Sequence, residues 1–306
     1  MRIFVSGATG VIGRRVIPLL LAQGHLVTAG VREMPASWTA ARLSLKYAKV
    51  DLFDADAVKH AVAGHDAIIN LATHMPSSAW RMVFRSAWRQ NDRIRREGAA
   101  NIAAAAREGE AIRLIQESFA PAYPDRGDEW IDEEVPLDPA RYNRTILDAE
   151  QAAREFSGTD RTGVVLRFAA FYGPDAMQLR SYVDALRWGW AMLPGRPDGF
   201  ISSISHDDAA AAVVAALNAP AGAYNVSDDE PVTHAIFFGS LAEALKLGPP
   251  KFVPDWTMPL FGAVGPTMAR SQRISNRKLK QATGWGPRFA SVREGWPETL
   301  AGMNGG

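Results

Sequence analysis

Ile3-Phe4-Val5-Ser6-Gly7-Ala8-Thr9-Gly10-Val11-Ile12-Gly13-Arg14 opens the chain with a short apolar run, three glycines spaced three apart, and the start of an amphipathic stretch through Leu21. The pattern predicts a buried strand over Ile3–Ser6, a tight turn, and a helix over Val11–Gln23. Each glycine has a separate role. Gly7 permits the turn off the strand, Gly10 lets a ligand reach the backbone, and Gly13 lets the helix pack close to the strand. The helix start then presents unpaired N–H groups and a positive dipole end to an anion. With a strand before it, a helix after it and a second strand following, the triplet points to a bound dinucleotide pyrophosphate. The expected contacts are Gly7, Thr9, Gly10, Val11, Ile12 and Gly13.

The same alternation continues. Further strands are expected at Leu26–Val31, Ala48–Val50, Ala67–Leu71, Arg113–Gln116 and Gly163–Arg167, with helices at Ala55–Val62, around Arg89–Arg107 and at Arg141–Phe156. Their near-continuous apolar character suits strands buried on both faces, and so predicts an α/β fold with a doubly wound parallel sheet, a Rossmann fold. Beyond Arg167 prolines from Pro174 to Pro254 break the pattern into shorter pieces. A helix at His206–Leu217 and a strand at Ala223–Val226 are expected to return to the sheet. Residues 1–172 with about 198–228 then form the dinucleotide-binding domain, and 173–197 with 229–306 a smaller C-terminal substrate lobe. The acidic run Asp125–Glu134 reads most simply as a solvated loop.

Bulk properties narrow the function. The 306 residues are 47% hydrophobic and 22% charged, with a net charge of +1, which gives no electrostatic reason to expect nucleic acid or an anionic membrane. No cysteine occurs, which excludes disulfides, thiolate metal sites and a cysteine nucleophile. No apolar run reaches the roughly 18–20 residues of a membrane helix. No His/Asp/Glu grouping has metal-ligand spacing, and no metal is expected. The expected setting is cytoplasmic, with a small-molecule substrate, no nucleic acid and no membrane as partners, and a homodimer as the assembly considered.

The Gly-x-x-Gly-x-x-Gly spacing resembles the short-chain dehydrogenase/reductase superfamily. Leu71-Ala72-Thr73, Arg167 with Tyr172-Gly173-Pro174, the acids Asp207 and Asp208, Tyr224-Asn225-Val226, and Ser275-Asn276-Arg277-Lys278-Leu279 before Gly284-Trp285 resemble its extended branch, the NAD-dependent epimerase/dehydratase-like proteins. The resemblance runs from residue 3 to about 297. It implies that Leu71, Ala72, Thr73, Asp51, Leu52, Tyr142 and Phe168 also line the cofactor. NAD-type relatives place an acid where this chain has Val31, followed here by Arg32. A guanidinium there suits the 2′-phosphate, so NADP(H) is favoured over NAD(H). Arg14 is expected to add a second cation, while Glu33 is an alternative partner for a 2′-OH.

Family enzymes use a Tyr-x-x-x-Lys pair and a serine after the fifth strand, the lysine lowering the tyrosine pKa. Tyr142 stands at the tyrosine position and Glu150 at the acid eight residues on, but Ile146 replaces the lysine. Phe119 occupies the serine position, with Ser118 and then Glu117 before it. Ala170 replaces an asparagine common in nucleotide-sugar epimerases, which disfavours an epimerase or dehydratase. Trp188, Trp190, Met192, Trp256, Met258 and Phe261 supply either core or an apolar pocket, and His74 is placed toward the cleft. The leading expectation is an NADP(H)-dependent oxidoreductase acting on a small, apolar carbonyl, alcohol or enone, with Ser118 and Tyr142 as catalytic hydrogen-bond donors. The competing reading is a dinucleotide-binding sensor without turnover.

Overall fold

The computed structural model describes residues 1–34, 44–76, 79–191, 196–254, 257, 260–262 and 264–304. Seven parallel strands make the central sheet: β1 (Arg2–Ser6), β2 (Leu26–Val31), β3 (Leu45–Lys49), β4 (Ala67–Asn70), β5 (Arg113–Phe119), β6 (Thr162–Phe168) and β7 (Gly222–Val226). Their spatial order is β7-β6-β5-β4-β1-β2-β3. The chain therefore winds outward from β1 in both directions, and the direction reverses between β1 and β4. In such a sheet the loops leaving those two strands diverge and open a crevice at their carboxyl ends.

The expected strands are all present, with one shift. The third begins at Leu45 rather than Ala48. It lies at the sheet edge, so Lys46 and Lys49 stay in water and its apolar signal is weak. Helices α1 (Gly13–Ala22), α2 (Ala55–Val62), α3 (Ala99–Glu108) and α4 (Ile146–Phe156) follow the strands. One apolar cluster joins Ile3, Val5, Leu20, Ile69 and Ile115 on α1's side of the sheet. A second joins Phe4, Ile68, Ile102, Leu114 and Phe156 on the side of α2, α3 and α4. Phe4 and Val5 are neighbours yet serve opposite clusters, as period-two alternation in a doubly covered strand requires.

Two helix boundaries differ from the sequence reading. α1 starts at Gly13, because Gly7 to Ile12 form the turn itself. α4 starts at Ile146, so Tyr142 lies in a turn ahead of the helix and not on its first face. Before α3, a short helix at Arg89–Arg93 runs through a π-helical turn at Ile94–Gly98. The acidic run is not wholly solvated. Trp130–Ile131 pairs in parallel with Arg273–Ile274, and Glu133 Oε1 accepts from the Asn225 amide at 2.7 Å.

Five further helices follow, α5 (Leu179–Arg187), α6 (His206–Ala215), α7 (His234–Ala244), α8 (Arg277–Thr283) and α9 (Val292–Asn304). Tyr172, Leu179, Phe237, Phe238 and Trp296 form a third apolar cluster joining α5, α7 and α9, while α6 and α8 pack into the first through Ala210, Val213 and Leu279. Of the apolar and aromatic residues considered for a pocket, Trp188 and Trp190 are exposed and Phe261 is half-buried; Met192, Trp256 and Met258 lie outside the described residues. No helix among the described residues is long and apolar enough to cross a membrane.

The turn after β1 is tied to the strand beyond it. Gly7 has φ +73°, and a Cβ on it would lie 2.5 Å from the carbonyl oxygen of Leu71. A side chain here meets both backbone strain and a main-chain collision. Gly7→Ala is expected to lower stability by about 2 kcal/mol or more, read as a fall in the midpoint of thermal unfolding.

Candidate functional site

The crevice between β1 and β4 is lined by two loops in direct contact. Leu71 N donates to Ser6 O at 3.0 Å, and Leu71 O fills the space where Gly7 lacks a side chain. Gly13 is equally constrained, since a Cβ there would come 2.8 Å from Ala8 Cα. Gly10 is different. A Cβ on it would meet one neighbour within 4 Å, Gly7 O at 3.1 Å, and the residue is exposed. The protein itself places little demand on glycine at position 10, so the bare backbone there is open to a ligand. Among the described residues the amides of Val11, Ile12 and Gly13 donate to no other main-chain group, and α1 begins behind them. Free amides at a helix N-terminus with an open glycine fit a pyrophosphate.

Around this cradle the residues expected from sequence fall into place unevenly. Thr9 and Val11 are exposed beside Gly10, and Ile12 is half-buried. Arg32 follows β2, exposed, with no hydrogen bond or ion pair among the described residues; Glu33 beside it is also exposed. Asp51 is exposed and accepts from the Phe53 amide at 3.0 Å, while Leu52 packs against Gly98 of the π-turn. Leu71 and Ala72 are buried, Thr73 is exposed, and His74 N donates to Asn91 Oδ1 at 2.9 Å.

Three expectations need correcting. Arg14 does not stand free for a phosphate: its guanidinium is paired with Asp175, which also binds Arg15 at 2.8 Å. Phe168 is 1% exposed and belongs to the core, stacked 5.4 Å from Phe171, so it offers no side-chain surface to a cofactor. Ser118 is fully buried and donates its hydroxyl proton to Glu150 Oε1 at 2.6 Å. With that proton committed, Ser118 cannot also donate to a substrate oxygen.

The Ser118 contact belongs to a buried network. Arg167 closes on both Glu150 oxygens at 2.8 and 2.9 Å and reaches the Tyr123 hydroxyl at 2.6 Å. Burial alone would raise the Glu150 carboxyl, but Arg167, Ser118 and Arg154 hold it below its ordinary value. The pair is therefore ionised and bidentate, the geometry in which a buried salt bridge is best compensated.

Tyr142 is 4% exposed and stacks on Trp88 with ring centroids 4.6 Å apart. Val264 completes this small cluster, flanked by Met82, Ala140 and Met268. Burial pushes the phenol above its usual value, while Thr267, Arg95 and Arg270 pull the other way without overcoming it. Ile146 is buried, so the lysine position carries packing and no charge. The structure adds polar residues the sequence reading did not single out as functional. Asn91, Arg95, Glu117 and Asn143 are buried, and each has a side-chain atom with no hydrogen-bond partner among the described residues. The available signal was the spacing of Trp88, Asn91 and Arg95, three and four residues apart on one helical side.

Residues 7–220 match a family described as NAD(P)H-binding. The chain belongs to that family. Its fold is the one found in epimerase and short-chain dehydrogenase/reductase structures, as the epimerase-like motifs imply. It is similar to a 3-diazoavenalumate denitrifying reductase from a Streptomyces species, 33% identical, over 96% of this chain and 99% of that one. It is also similar to a 2-alkyl-3-oxoalkanoate reductase from Shewanella oneidensis, 29% identical, over 90% of this chain and 73% of the relative. Among solved structures, a human epimerase family protein crystallised with NADPH shares the fold with a TM-score of 0.82 at 21% identity, covering 98% of this chain and 99% of the other. Thermus thermophilus UDP-glucose 4-epimerase with NAD superposes with a TM-score of 0.78 at 23% identity, over 100% of this chain and 99% of the other.

The contrast among the three glycines gives a test of the cradle. Gly10→Val is expected to abolish NADPH binding in a calorimetric titration while the unfolding midpoint stays near that of the parent. Near-normal affinity in this variant would show that the dinucleotide lies elsewhere.

Proposed function

We propose that this protein is an NADP(H)-dependent reductase of a small, apolar carbonyl or enone, the reverse reaction being oxidation of the matching alcohol. One observation carries this reading above the others. Tyr142 is a neutral phenol held on an apolar floor of Trp88 and Val264, at the position the family uses for its catalytic tyrosine. A neutral phenol donates a hydrogen bond to a substrate oxygen, and that bond strengthens as negative charge grows there. The apolar floor excludes water and suits a hydrophobic or aromatic substrate.

The bound dinucleotide would supply the hydride. Val11, Ile12 and Gly13 would hold its pyrophosphate through main-chain N–H groups, with Gly10 leaving room. Arg32, exposed and without a partner among the described residues, would pair with the 2′-phosphate of NADP(H). Reduction needs orientation and oxyanion stabilisation more than a strong base, which fits a site with no lysine beside the tyrosine and with Ser118 turned inward. The new alkoxide would be protonated by solvent as the product leaves the apolar floor. The printed names of the two relatives both describe reductions, one of an oxo acid and one of a diazo compound, and this supports the direction proposed here.

NADPH oxidation measured against aldehydes, ketones, enones and an aryl diazonium salt tests the reading. Firm NADPH binding with no turnover on any of them would overturn it in favour of a sensor. NADPH is expected to bind more tightly than NADH by about 1.5–3 kcal/mol. Arg32→Ala should erase most of that difference and leave NADH affinity almost unchanged; equal titrations with the parent protein would rule the assignment out. Tyr142→Phe is expected to slow turnover by about 10²–10³-fold without eliminating it. Because the phenol's pKa lies above its ordinary value, the parent rate should show no Tyr142-dependent ionisation between about pH 6 and 9. A pH limb in the parent that disappears in the phenylalanine variant would mean that the tyrosine relays a proton after all.

A further inference from the structure

Arg95 lies in the π-helical turn at Ile94–Gly98, 5% exposed, with its Nη2 3.3 Å from Oε1 of Glu117 at 9% exposure. That contact is long for a charge-assisted pair. The Nε of Arg95 and the Oε2 of Glu117 have no hydrogen-bond partner among the described residues. Nη2 and Nε share one edge of the guanidinium, the edge that a carboxylate ordinarily closes with two parallel bonds, as Glu150 does for Arg167. Here the edge is half open and leaves one donor and one acceptor. Asn91, fully buried and one turn earlier, adds a second free donor in its Nδ2 while its Oδ1 is held by the His74 amide. Trp88, on the same side of this helix, stacks on Tyr142.

We propose that the open Arg95–Glu117 edge, with Asn91, seats a hydroxyl group of the bound ligand beside Tyr142. The chemistry selects this class. A carboxylate or phosphate would face the free oxygen of Glu117, and an ammonium would face the charge of Arg95. A carbonyl would leave Oε2 unpaired, whereas a hydroxyl accepts from Nε–H and donates to Oε2 at once. Unpaired buried polar atoms are costly in a folded protein, and a ligand hydroxyl removes that cost at both atoms. Two sources carry such a group: the ribose on the nicotinamide side of the dinucleotide, or the substrate itself. The proposal rests on the reading of Tyr142 as the donor at the reaction site.

The test compares the parent with Glu117→Gln and with the double variant Arg95→Met, Glu117→Leu. The double variant replaces the ion pair by apolar groups of similar volume and so keeps the experiment usable if the single variant fails to fold. Binding is measured with NADPH and with adenosine 2′,5′-bisphosphate, which lacks the nicotinamide ribose. Turnover is measured with 4-hydroxybenzaldehyde and with benzaldehyde. NADPH affinity reduced tenfold or more with the bisphosphate unchanged supports the seat and assigns it to the cofactor ribose. Unchanged NADPH affinity, with kcat/KM lowered tenfold or more for the hydroxylated aldehyde alone, supports the seat and assigns it to substrate. Either no change in any of the four, or the same proportional loss in all, overturns the proposal and leaves a structural ion pair. A parent protein that binds no NADPH overturns the functional reading itself, a result distinct from a parent that binds it and variants that match.

Discussion

The contact on which the rest of this architecture depends is the approach of the Leu71 carbonyl to the bare α-carbon of Gly7. It joins the ends of the two strands between which the winding of the sheet reverses, and so fixes the width of the crevice. The strand registers deliver it. Ser6 pairs with Asn70 at the last rung of the β1–β4 ladder, and the next residue of each strand makes the contact. The same constraint separates two kinds of glycine in one motif. Gly7 and Gly13 are glycine because neighbouring backbone occupies their side-chain space, whereas Gly10 has no such crowding and leaves its backbone open.

On the far side of β5 a second constraint takes over. Glu150 on α4 and Arg167 on β6 form an ionised pair with no solvent around the carboxylate, and Ser118 and Tyr123 complete its hydrogen bonding. Removing one partner of such a pair costs about 3–5 kcal/mol, since the other charge is left uncompensated. This network consumes the serine hydroxyl and orients α4 against the sheet. The turn preceding α4 carries Tyr142, so the ion pair helps to set where that turn lies.

Much of the fold was legible from residues 1–170. Buried parallel strands write themselves as uninterrupted apolar runs, and Ile3–Val5, Ala67–Ile69 and Val164–Leu166 do so plainly. β3 is displaced in the sequence reading because an edge strand is less covered, and Lys46 and Lys49, on opposite faces, break its apolar run. The dinucleotide cradle was readable because it depends on backbone, and backbone demands are recorded as glycines. The reaction site was less so. Whether Ser118 points outward or toward Glu150 depends on a partner 32 residues away, and no local pattern encodes it. Arg14 misled for a similar reason, since Asp175, which claims it, arrives from a loop far along the chain. Arg95 is one of several arginines between Arg89 and Arg107, and the sequence does not mark it as the one that the π-turn carries inward.

That turn also divides the labour of its helix. A π-turn holds one residue more than an α-turn, which rotates everything beyond it by about 100° relative to an uninterrupted helix. Before it, Trp88 packs on Tyr142 and Asn91 holds the His74 amide; after it, Ile102, Ala103 and Ala106 pack with Val58 and Phe156 in the core. The two faces are thereby decoupled. The side before the turn and the side after it answer to different partners, and a one-residue deletion inside the turn would recouple them by rotating Trp88 away from Tyr142.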